Sequence, residues 1–91
     1  MNIQSFLQYL QFEKRFSPHT LLAYESDLEQ FFTYQKKAYE VSEVSEINHP
    51  MIRSWIVSMM EQGITPRSIN RKITTLKTYY KFLLRKGEIH L

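Results

Sequence analysis

Pro18, Pro50, Pro66, Gly63 and Gly87 are the only residues of restricted or exceptional backbone freedom in this chain, and they divide it into helical segments. Each proline follows a polar residue (Ser17, His49, Thr65) and precedes a run with apolar side chains at helical spacing. That is how a helix starts, because the missing N–H is not needed in the first turn and the fixed φ suits it. The two glycines follow such runs, where a left-handed C-terminal cap is wanted. Between these marks the apolar residues Ile3, Phe6, Leu7 and Leu10, then Leu21, Tyr24, Leu28, Phe31 and Phe32, then Ile52, Trp55, Ile56 and Met59, and last Ile69, Ile73, Leu76, Tyr80 and Leu83 recur at helical spacing. The spacing predicts helices over about 2–14, 18–35, 50–62 and 66–86, with a longer connection over 36–48 that holds Lys36-Lys37. The expected fold is all-α, a single four-helix bundle in which Trp55, Ile69, Ile73, Leu76 and Tyr80 are buried.

With 91 residues, 43% of them hydrophobic, the chain can build one core but not two. It has no cysteine, which removes disulfides and thiolate metal sites. His19, His49 and His90 are scattered without the i, i+4 pairing of a metal site, so no metal or cofactor is expected. No apolar run reaches the roughly 18 residues of a membrane span. Met1-Asn2-Ile3-Gln4-Ser5 does not read as a signal peptide, so the expectation is a soluble cytoplasmic protein.

The net charge of +3 is modest, but its distribution is not. Residues 1–62 hold five basic against eight acidic side chains, a balance of −3, whereas residues 63–86 hold Arg67, Arg71, Lys72, Lys77, Lys81, Arg85 and Lys86 with no acid. On a helical wheel, Arg67, Arg71, Thr74, Thr78, Lys81 and Arg85 fall opposite the apolar stripe of the fourth helix. A solvated face would also be basic, but it usually interleaves Glu at i+4 to its Lys. This one has none, which favours a polyanion such as a DNA backbone. Ser68, near the helix start, adds a hydroxyl beside free backbone N–H groups. The third and fourth helices, joined through Gly63-Ile64-Thr65, also have helix-turn-helix spacing. Asn70 is read there as a solvent-exposed or capping amide rather than as a base reader.

Six tyrosines invite a search for a phosphoryl-transfer nucleophile. Tyr9, Tyr24 and Tyr80 sit on apolar stripes, while Tyr34, Tyr39 and Tyr79 are expected to be more exposed. None has converging Arg, Lys and His, and no His is followed three residues later by Arg, so catalysis by these residues is not expected. Asp27 is read as structural, a hydrogen-bond acceptor that pins neighbouring chain. A different class of function, a protein-binding adaptor using Trp55 and Met59-Met60, is the alternative.

Two stretches carry a resemblance. Ser17-Pro18-His19-Thr20 through Tyr24, Asp27-Leu28 and Phe31 resembles the S-x-x-T-x-x-x-Y-x-x-D-L-x-x-F pattern of Xer-type tyrosine recombinases and phage integrases, and Thr65 through Leu83 resembles the last helix of the same domain. The resemblance implies a SAM-like orthogonal helical bundle spanning residues 1–91, the core-binding domain, which forms one jaw of a clamp on double-stranded DNA beside other recombinase protomers. It implies contacts from Thr20 on the second helix and from Ser68, Arg71, Lys72 and Thr75 on the fourth, with Arg67, Lys77 and Lys81 near phosphates. Lys72 and Thr75 lie off the centre of the face drawn on the wheel. Glu25 and Ser26 stand where the family is often basic, which implies a weaker grip from the second helix. The family's catalytic residues belong to a second domain expected after residue 91, with the chain ending at the interdomain linker.

Overall fold

The computed structural model describes residues 3–89. It contains α1 (Gln4–Phe12), α2 (Pro18–Tyr39), a 3-10 turn (Val44–Glu46), α3 (His49–Glu61) and α4 (Pro66–Lys86), with no strand among the described residues. The all-α expectation holds. α2 packs against each of the other three helices, and α4 also packs against α3.

The starts of the helices are set by local chemistry. The side chains of Ser17, Asn48 and Thr65 accept from the backbone N–H groups of Thr20, Met51 and Ser68, satisfying donors that the first turn leaves free. Asn48, not His49, thus caps α3, one residue earlier than the Pro50 mark implies. α1 stops sooner than expected, at Phe12. Arg15 then turns left-handed (φ 56°), and the Phe16 N–H reaches the Leu10 carbonyl at 3.0 Å, folding Phe16 back onto the Tyr24 ring. Gly63 and Gly87 have φ of 81° and 74°, the conformation in which a Cβ would be strained.

α2 runs beyond residue 35 to Tyr39, so Lys36 and Lys37 lie in its last turn and not in a loop. Two causes are visible. Cations in the last turn face the negative end of the helix dipole. Gln35 is wholly buried and its Nε2 donates to the Met51 carbonyl at 3.1 Å, which holds this part of α2 against α3.

Phe6 and Leu10 of α1, Leu28 and Phe31 of α2, Trp55 and Met59 of α3, and Ile69, Leu76, Tyr79, Phe82 and Leu83 of α4 form the core. Phe31 meets Trp55 edge-on, with ring centroids 5.0 Å apart, and Phe6 meets Tyr79 in the same way at 5.1 Å. Trp55, Ile69 and Leu76 are buried as expected, while Ile73 and Tyr80 are only half-buried. Tyr79, expected at the surface, is 2% exposed. The buried face of α4, centred near Leu76, Tyr79 and Lys72, is turned by about 60° from the stripe drawn at 100° per residue. α4 meets α2 and α3 as well as the α1 rings, so its covered face is wider than one apolar stripe. Tyr34, also expected to be exposed, is half-buried and shares a hydrogen bond with Ser54.

Candidate nucleic-acid interface

The rotation of α4 sorts its cations into two sets. Asp27 of α2 is 1% exposed and faces α4, where its Oδ1 accepts from Arg71 Nη2 at 2.6 Å and from Lys72 Nζ at 3.0 Å. Its Oδ2 accepts from the Thr75 hydroxyl at 2.9 Å. Lys72 Nζ donates further to Gln30 Oε1 at 2.8 Å. A buried carboxylate survives only when paired and hydrogen-bonded, and here both oxygens are engaged. Asp27 therefore has the pinning role expected of it. Lys72 and Thr75, expected among the DNA contacts, are instead turned inward, 7% and 1% exposed. Side chains one turn apart lie on the same face of a helix, and the face holding 72, 75, 76 and 79 is the one α2 covers.

Arg71 belongs to both sets. Its side chain is 53% exposed although one guanidinium nitrogen is tied to Asp27. A tether on one edge leaves the other N–H donors facing solvent in a fixed orientation.

Arg67, Asn70, Thr74, Lys77, Lys81 and Arg85 are exposed on α4, and Thr78 is half-buried. The Thr74 and Thr78 hydroxyls donate back to the carbonyls of Asn70 and Thr74, at 3.0 and 2.9 Å. Among the described residues every ion pair involves Asp27, so Arg67, Lys77, Lys81 and Arg85 have no carboxylate within 4.0 Å. The face runs about 27 Å from Arg67 to Arg85 at 1.5 Å per residue. Thr20 and Ser68 occupy equivalent places, each three residues after the capping hydroxyl and hydrogen-bonded to it, at 3.0 and 3.2 Å. Both remain partly exposed.

The patch required by an adaptor is broken up. Trp55 and Met59 are 4% and 3% exposed inside the core, and only Met60, at 62%, faces outward. The described residues contain no cluster of His, Asp or Glu able to hold a metal. No described helix is long and apolar enough to cross a membrane.

The family model of the phage integrase N-terminal SAM-like domain matches residues 3–87. The chain belongs to this family. The matched span takes in all four helices. Among curated proteins the SAM-like domain is 37% identical to tyrosine recombinase XerC of Oceanobacillus iheyensis, over 96% of this chain and 28% of that protein. It is 38% identical to tyrosine recombinase XerD of Rickettsia bellii (98% and 28%) and 40% identical to XerD of Rickettsia conorii (93% and 27%). The chain thus spans little more than a quarter of the length of these relatives. No solved structure matches it.

Proposed function

We propose that this SAM-like domain binds duplex DNA through the exposed face of α4, placing a site-specific tyrosine recombinase on its crossover site while another domain cleaves and rejoins the strands. One observation carries the reading: a helix with seven cations and no acid, five of whose cations (Arg67, Lys77, Lys81, Arg85 and Lys86) lie exposed with no carboxylate within 4.0 Å among the described residues. Arg67, Lys77 and Lys81 neutralise phosphates, Arg71 presents its untethered edge, and Thr20 and Ser68 offer hydroxyls at two helix starts. Lys72 and Thr75 act from beneath, by holding α4 to α2. Other recombinase protomers on the same DNA are the expected partners, and the cytoplasm is the expected compartment.

Salt dependence of binding is the test. If three phosphates are neutralised, log K falls with log salt at a slope of about −2.7, and binding at physiological salt is of the order of 10⁻⁴ to 10⁻⁶ M with little sequence preference. Arg67→Ala with Lys81→Ala should weaken binding on every duplex and flatten the slope by about two units. Lys36→Ala with Lys37→Ala removes the same charge at the far end of α2. An equal loss from that pair would show a general attraction and no docked helix.

A further inference from the structure

A second group of cations gathers where α1 ends beside the last turns of α4. Phe6 packs on Tyr79 and Phe82, and Tyr9 on Phe82, so α1 lies along the C-terminal half of α4. Arg85 Nη1 donates to the Tyr9 hydroxyl at 2.8 Å, and its guanidinium lies 5.6 Å from the Tyr9 ring centroid. Lys14 Nζ lies 6.0 Å from the centroid of that same ring. Arg15, the next residue, is exposed and held left-handed.

The neighbouring acids in sequence are Glu13 and Glu88, yet neither comes within 4.0 Å of these cations among the described residues. At an exposed site an aromatic face attracts a cation only weakly. That is enough to orient Lys14 and Arg85 but not to neutralise them. Their charge is left for an external anion. Arg85 also stands one helical turn beyond Lys81, so the group continues the α4 face around the end of the bundle.

We propose that Lys14, Arg15 and Arg85 form a second contact with the phosphate backbone of the same duplex, with Tyr9 as the platform that orients Arg85 and Lys14. The inference rests on the DNA-binding role proposed above and adds the end of α1 to the surface that grips DNA. A duplex carries one charge per about 1.7 Å of axis. A surface running from Arg67 to Arg85 and on to Lys14 therefore meets phosphates at both ends.

The experiment is anisotropy of a fluorescein-labelled 20-base-pair duplex titrated with the 91-residue chain across a range of KCl, with circular dichroism to confirm that each variant is folded. Lys14→Gln with Arg15→Gln alters exposed side chains outside the core. It should lower affinity roughly fivefold or more at low salt and flatten the slope by about one to two units. Tyr9→Phe keeps the ring and the charges but loses the hydroxyl anchor, so it should weaken binding with the slope unchanged. The inference is overturned if Lys14→Gln with Arg15→Gln binds like the parent while Arg67→Gln with Lys81→Gln is weakened. A loss no larger than that of Lys36→Gln with Lys37→Gln overturns it equally. No duplex binding by the parent chain at any salt removes the DNA-binding reading, and this inference with it.

Discussion

At the scale of the residue, Asp27 decides which cations of α4 are free and which are structural. Three donors from α4 converge on its carboxylate, and Gln30 Oε1 accepts a further hydrogen bond from Lys72 Nζ. Asp27→Asn removes the charge that Lys72 was buried against, and breaking a buried pair on one side costs about 3–5 kcal/mol. Urea unfolding should show that loss, whereas Asp27→Leu with Lys72→Met, which leaves no orphaned charge, should recover most of it; a midpoint for Asp27→Asn equal to the parent's would refute the pairing. Burial is the first cause that pushes the hydroxyls of Tyr79 and Tyr80 up to about 12, with Glu88 and Tyr80 adding to the effect at Tyr79. In the unfolded chain both ionise near 10. The native state therefore binds more protons between those values, and stability that is complete below about pH 10 is lost as the pH rises towards 12. Absorbance of tyrosinate at 295 nm should show two late-ionising groups, and Tyr79→Phe with Tyr80→Phe should remove that late phase.

At the scale of the element, each long helix begins on a polar side chain that accepts from the first turn, and two of them end on a left-handed residue, Glu40 or Gly87. Thr65 matters most among the caps, because α4 carries the basic face and Ser68 hydrogen-bonds to the Thr65 hydroxyl. Thr65→Ala should cost about 1 kcal/mol, a fall in Tm of roughly 4–8 °C for a domain of this size. Thr65→Ser, which keeps the acceptor, should restore most of it. An unchanged melt for the alanine variant would mean that packing alone starts α4.

At the scale of the whole molecule, α2 is the hub on which the other helices assemble, and the charge asymmetry of the chain becomes one basic side on the bundle. Five of the six tyrosines pack in or against the core, and Tyr9, which stands beside Lys14 and Arg85, has its hydroxyl engaged as the acceptor of the Arg85 hydrogen bond. An activated nucleophile needs a lowered pKa or an adjacent base, and Tyr79 and Tyr80 are shifted the opposite way. Incubating the 91-residue chain with nicked duplexes should therefore yield no phosphotyrosyl adduct by denaturing gel, and an adduct on any tyrosine would contradict this.

Much of this was legible in the chain because it is local. Capping side chains, prolines at helix starts and glycines with positive φ act within four residues, so four helices and most of their bounds could be read directly, as could the basic segment. The all-α domain and its family followed from the same patterns. What the residue order left open was the rotation of α4 about its axis, which depends on neighbours on several sides at once. That rotation put Tyr79 in the core and Tyr80 at its edge, and it set against Asp27 the Lys72 and Thr75 side chains, which the resemblance implied as DNA contacts although the wheel placed them off the centre of the basic face. The approach of Tyr9 to Arg85 lies 76 positions apart in sequence. No local periodicity encodes such a contact; it exists only because α1 packs along the end of α4, where tertiary packing brings separated charges to one surface.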